Sequence, residues 1–96
     1  MSFGPVGATG TSFGFTSSRV ALPGAGAVLR IANLGPCPIS VLLGNNTVVV
    51  TNSTGIVIPA GQVEYLTVGA ATNIAGVACG GPSNTSTVNL STGAIT

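Results

Sequence analysis

The sequence predicts an all-β protein, an antiparallel β-sandwich or small jelly roll with an extended N-terminal arm. Three observations lead there. The 15 Gly and 6 Pro among 96 residues recur too often for a helix of ordinary length, and the helix formers Glu, Lys and Gln are almost missing. Short apolar stretches alternate with a period of two, which is the strand signature. The spacing between those stretches is short and even, with turn residues at each join, as in sandwiches and small barrels.

Taken in order, residues 1–18, "MSFGPVGATGTSFGFTSS", lack clean alternation but hold all three phenylalanines, Phe3, Phe13 and Phe15. A segment of this kind is expected to be an arm that docks its aromatics elsewhere, with Phe3, Phe13, Phe15 and the adjoining Arg19 as assembly contacts. The competing reading is an edge strand over 11–16 whose Phe13 and Phe15 face the core. The domain proper then runs from 19 to 96. "AVLRIAN" (27–33) sets Leu29 and Ile31 on one face and Arg30 on the other. "ISVLL" (39–43) aligns Ile39, Val41 and Leu43, and "GNN" (44–46) makes a hairpin connection to a strand "TVVVT" (47–51). "GIVI" (55–58) ends at the turn Pro59-Ala60-Gly61. "VEYLTV" (63–68) has an ambiguous inward face, since Val63 and Tyr65 compete with Leu66 and Val68. "NIAGVAC" (73–79) and "STVNLS" (86–91) complete a set of seven or eight strands. Leu29, Ile31, Ile39, Val41, Leu43, Ile58, Val88 and Leu90 are the expected core.

Composition then restricts function. The only charged side chains are Arg19, Arg30 and Glu64, where an ordinary domain of this length carries roughly two dozen. With a net charge of +1, self-repulsion does little to keep free copies apart. Disorder does not fit a chain that is 45% hydrophobic with a mean hydropathy of +0.69. No apolar run approaches the roughly 20 residues of a membrane span. The N-terminus has neither the basic nor the apolar region of a signal peptide, so synthesis in a cytoplasm is expected.

Without His, Asp or Lys there is no Ser-His-Asp or Cys-His pair, no carboxylate pair and no Schiff-base lysine. Glu64 fits a surface glutamate, either solvated or salt-bridged to Arg30 or Arg19, better than a lone catalytic base. Two distant cysteines and one glutamate make no metal site, and no cofactor is expected. The Gly-rich "GATG" (7–10) and "GAGA" (24–27) lack the following Lys and helix of a phosphate loop. Two arginines neutralise at most about two phosphates, which argues against nucleic acid as a partner. Cys37 and Cys79 are expected to be reduced thiols, the alternative being one disulfide between the "GPCP" and "ACGG" turns. The four Asn-x-Ser/Thr triplets at Asn45, Asn52, Asn84 and Asn89 are what a chain this rich in Asn, Ser and Thr contains by chance.

"VLRIANLGPCPISVLLG", then "IPAGQVEYLTV", then "NIAGVACGGPS", covering about residues 28–82, resemble small virion proteins of tailed bacteriophages. The resemblance lies in order: an Arg-bearing strand ending in Asn-x-Gly, a strand ending in Gly, a Pro-Ala-Gly turn into a Glu-aromatic strand, and an Ala/Gly-rich strand. It implies a jelly-roll or sandwich module of the capsid cement or decoration type. Its partners would be the major capsid protein and copies of itself, as dimer or trimer, on the capsid surface of a virion assembled in a host cytoplasm. The near-absence of acidic residues departs from many such proteins. Two other functions compete: a receptor- or glycan-binding module of a head fibre or tail structure, and a Thr-rich surface adsorber. The last wants a regular Thr array that "TSTVNLST" (85–92) is too short to supply.

Overall fold

The structure is a computed structural model that describes residues 3–24, 26–51, 53–80 and 83–95. Eight strands follow one another: β1 (Phe3–Phe13), β2 (Ser18–Ala21), β3 (Val28–Gly35), β4 (Ile39–Gly44), β5 (Ile56–Ile58), β6 (Val63–Thr67), β7 (Asn73–Ala78) and β8 (Ser86–Ile95). They form two four-stranded sheets, β1-β8-β3-β6 and β2-β7-β4-β5. Every pairing is antiparallel. The ladders are nested. β4 pairs with β5, β3 with β6, β2 with β7 and β1 with β8, as if one long hairpin had been rolled up.

One apolar core lies between the sheets, and strand alternation explains its membership. Leu29 and Ile31 project inward from β3, Val88 and Leu90 from β8, Ile39 and Val41 from β4, and Ile58 from β5; all seven are 0% exposed. Burying each such side chain stabilises by about 1.5–3 kcal/mol. Leu43 is half-buried against them. Phe13, Ile74 and Val68 complete the cluster. The inward face of β6 is the one bearing Leu66 and Val68, whereas Val63 and Tyr65 stay exposed. The turn after β5 needs Gly61, which sits at φ +80°.

Two sequence expectations are corrected. Residues 47–51 are not a strand. The Asn45 side chain accepts from Thr47 N at 2.9 Å and turns the chain, and β4 takes β5 as its hairpin partner instead. The freed loop crosses the outer face of the second sheet, where Val48 and Val50 pack with Leu42, Ala75 and Val77 in a second apolar cluster. A β-prone valine run thus satisfies its apolar side chains without a ladder.

The second correction concerns the N-terminal arm, residues 1–18. Residues 3–13 belong to the first sheet, paired with β8 from Phe3↔Ile95 to Phe13↔Ser86, with an irregularity between Pro5 and Gly7. Phe13 anchors the strand. Its ring occupies the space over Gly76, where a Cβ would collide with ring carbons. The edge-strand alternative, over 11–16, holds only in part: the strand runs from Phe3 to Phe13, residues 14–16 lie outside it, and Phe15 is half-exposed rather than core-facing. Residues 18–21, adjoining the expected boundary, form β2 on β7.

Candidate interaction surface

The four residues expected as assembly contacts end in different places. Phe13 is 0% exposed and so unavailable to another chain. Phe3 is half-buried, and its ring meets that of Tyr65 edge-on, with centroids 5.7 Å apart at 62°. The two rings come from opposite edges of the same sheet. Such a pair contributes about 0.5–1.5 kcal/mol beyond its burial. Phe15 and Arg19 flank the crossing from β1 into β2. Phe15 lines an open depression of about 310 Å³ with Ser17, Val50, Thr51, Val77 and Ala78. Arg19 Nη1 donates to Val48 O at 3.2 Å.

These contacts belong to the covered side of the molecule. The loop over the second sheet is held there by Ser40 Oγ donating to Thr51 O at 3.0 Å and Val50 N donating to Ser17 Oγ at 3.2 Å. Beneath it Val50 is 3% and Ala75 0% exposed. Intramolecular packing thus covers the centre of that face, while Val49 and Val57 stay exposed at 65% and 53%.

The outer face of the first sheet is closed at Ala32 and Ser91, 5% and 6% exposed, and its apolar exposure lies along the β6 margin. Ladder register sets Arg30 between Tyr65 on β6 and Ser91 on β8. Sequence reasoning did not select this group, although the alternation of β3 already placed Arg30 opposite the core face. Tyr65 is 51%, Val63 38% and Leu34 64% exposed. Val63 lies opposite Ala32, and Leu34 follows at the register shift between Asn33 and Gly35. Arg30 is half-buried, and among the described residues its guanidinium makes no hydrogen bond.

Glu64 lies on the same margin but opposite Ile31, on the core-facing side of β6, where the edge position leaves it exposed. An inward-pointing charge on an edge strand is a known guard against indiscriminate strand addition. Arg30 and Glu64 therefore leave the sheet on opposite faces. Glu64 is exposed, the solvated one of the two expected forms, and no ion pair with Arg30 or Arg19 is formed among the described residues.

A further depression, of about 400 Å³, lies between the β2–β3 and β6–β7 connections and is lined by Leu22, Gly24, Gly26, Val68, Gly69, Ala71 and Thr72. Neither depression has a titratable side chain among its described lining residues. Cys37 and Cys79 are free and half-buried. Cys79 N donates to Pro38 O at 2.9 Å, continuing the Ile39↔Ala78 row, so Cys37 is one position out of step with Cys79. Comparisons of the chain with protein-family models, curated proteins and solved structures return no match.

Proposed function

We propose that this chain is a non-enzymatic structural protein of a virion, a jelly roll that decorates a bacteriophage capsid and stabilises it by bridging shell subunits. The observation that carries the reading is the apolar exposure along the β6 margin of the first sheet. Tyr65, Val63 and Leu34 are exposed there on a molecule with three charged side chains in all. Such a surface suits burial against neighbours, where desolvating charges is costly.

The nested order β1-β8-β3-β6 over β2-β7-β4-β5 supports the jelly roll, an architecture of eight strands in two Greek keys. That architecture also serves metal-dependent and carbohydrate-binding proteins, so fold alone does not choose. Composition favours the capsid role, since His and Asp, the usual metal ligands, are absent from the chain. The partners are the major capsid protein and further copies of this chain, and the location is the capsid surface of particles assembled in a host cytoplasm.

Apolar contacts are weakly screened, so attachment survives raised salt better than a charge-driven cement would. The test is to wash particles in molar salt, then heat or osmotically shock those with and without the protein. Retention through the wash and lower stability without the protein are expected. Release by salt alone, or unchanged particle stability, would overturn the cement reading. The second reading, a receptor- or glycan-binding module, is favoured by half-exposed Phe15 in the β1–β2 connection. It predicts glycan binding that Phe15→Ala abolishes.

A further inference from the structure

We infer that residues 45–51 form a strap that opens as a unit while the sandwich beneath stays folded, uncovering an apolar patch on the outer face of the second sheet. The device belongs to the fold and holds whether or not the chain sits on a capsid.

Three observations carry it. The first is how the strap is attached. Among the described residues no backbone–backbone bond joins it to either sheet, and its Val48 N donates only to Asn45 O within the turn that starts it. Its ties to the sandwich are three side-chain bonds. Arg19 Nη1 donates to Val48 O at 3.2 Å, Val50 N donates to Ser17 Oγ at 3.2 Å, and Ser40 Oγ donates to Thr51 O at 3.0 Å. Val48 and Val50 seat it in the second apolar cluster, while Val49 between them is 65% exposed. The open depression beside Phe15 undercuts it, with Val50 and Thr51 on one wall and Val77 and Ala78 opposite. A segment with few buried apolar contacts and no ladder belongs to the low-stability end of a structure.

The second observation is what the strap covers. An antiparallel sheet that faces water carries polar side chains on its outer face. Here the outward rows of the ladders read Arg19–Ala75–Leu42 and Val77–Ser40–Val57. Only Arg19 and Ser40 among them are polar, and both are bonded to the strap. Val57 is already 53% exposed. Lifting Val48 and Val50 adds Leu42, Ala75 and Val77 to it, and the patch becomes continuous across three strands.

The third observation makes the closed position a defined state. A Cβ on Gly44, where the strap leaves β4, would lie 2.8 Å from Val48 Cβ, and one on Gly55, where the chain returns, 2.6 Å from Val50 Cγ2. The two glycines admit the valines at close range, so the strap is seated and not draped. Ser17 and Arg19 are two residues apart at the start of β2 and hold neighbouring points of the strap. Loss of either bond should therefore loosen both points.

The test is native-state hydrogen exchange on the purified chain, with wild type beside Arg19→Ala and Ser17→Ala. In the wild type the Val48 and Val50 amides should be protected, yet exchange at least about tenfold faster than those of β8 after correction for intrinsic rates. Arg19→Ala should raise exchange at Val50 by about tenfold and leave β8 unchanged, although the Arg19 bond is to Val48 O. Ser17→Ala should do the same at Val48, although its bond is to Val50 N. The double variant S17A/R19A should increase the fluorescence of anilinonaphthalene sulfonate, a dye for exposed apolar surface, with the far-UV spectrum and cooperative melting retained. Equal exchange in strap and β8 would mean that only global unfolding opens the strap, and unprotected exchange would mean that it never closes. Either result overturns the inference. So does a rise confined to Val48 in R19A or to Val50 in S17A, a rise that spreads to β8, or the absence of a dye signal.

Discussion

Asn33 does more for this fold than any other polar side chain. It is 1% exposed at the end of β3. Its Nδ2 donates to Cys37 O at 2.8 Å and to Ile58 O at 2.9 Å. Its Oδ1 accepts from Gly35 N at 3.1 Å and from Ser86 Oγ at 2.5 Å. Its backbone N donates to Gln62 O at 2.9 Å, and its carbonyl accepts from Gly61 N at 2.7 Å. One residue thereby ties together the ends of β3 and β5, the turns on either side of them and the start of β8. Asn33→Ala would strand several buried groups at once and should lower stability by about 3 kcal/mol or more in denaturant titration. Asn33→Asp should cost as much, because a second acceptor oxygen would face two carbonyls. Little of this is legible in "IANLG", where an Asn beside Gly reads as an ordinary turn residue. Its partners Ile58 and Ser86 lie 25 and 53 positions away, and only the closed fold brings them in. The thiols make a simpler residue-scale prediction. Cys37 and Cys79 are free, so denatured, unreduced protein should react at both positions with a thiol reagent, and no uptake would contradict the structure.

At the scale of elements, β1 is held in an unusual way. Its side chains are mostly exposed, with Gly4, Pro5, Val6, Ala8, Thr9 and Gly10 all open to solvent, and only Phe13 is buried. The strand therefore stays in place through its ladder to β8 and a single aromatic anchor seated on Gly76. Phe13→Ala should cost about 3–5 kcal/mol as a large-to-small core change. Gly76→Ala should cost about 1–3 kcal/mol, because the added methyl collides with the ring and overpacks the site. Deleting residues 1–18 should lower the melting temperature sharply, whereas a detachable arm would leave it nearly unchanged. The inward residues of β3, β4 and β8 were readable because large apolar side chains recur at every second position, Leu29 and Ile31, Ile39 and Val41, Val88 and Leu90. β1 was not, since glycine and threonine give a strand no period. The valine run 47–51 misled for the opposite reason. Its alternation is real, but Val48 and Val50 answer to the outer face of a sheet and not to a strand partner.

The whole molecule closes as well as any free domain of its size. Its accessible surface is 4766 Å², against about 4,900 Å² expected for a folded monomer of this mass. What sets the chain apart is therefore the character of that surface and not an unfinished core. Each charged side chain sits on or beside a sheet margin: Arg19 on edge strand β2, Glu64 on edge strand β6, and Arg30 on β3 next to β6. The remaining edges are limited by backbone features, β1 by Pro5 and its ladder irregularity, and β5 by its length of three residues and the Pro59 that follows. Proline, bulges, short strands and charges are the standard guards against edge-to-edge aggregation. These guards limit edge-to-edge association of the chain, and the margin they leave can be measured. Val57 on β5 is 53% exposed and lies opposite Ser40, on the side of β5 away from the core. Val57→Glu should change folding stability by no more than about 0.5 kcal/mol, as surface substitutions do. It should raise the concentration at which the free chain precipitates, because a single added charge is a large fractional change here. Precipitation onset by light scattering, beside denaturant midpoints, checks both statements. A large loss of stability would mean that β5 is more tightly packed than its exposure indicates, and an unchanged onset would mean that charge is not what limits solubility.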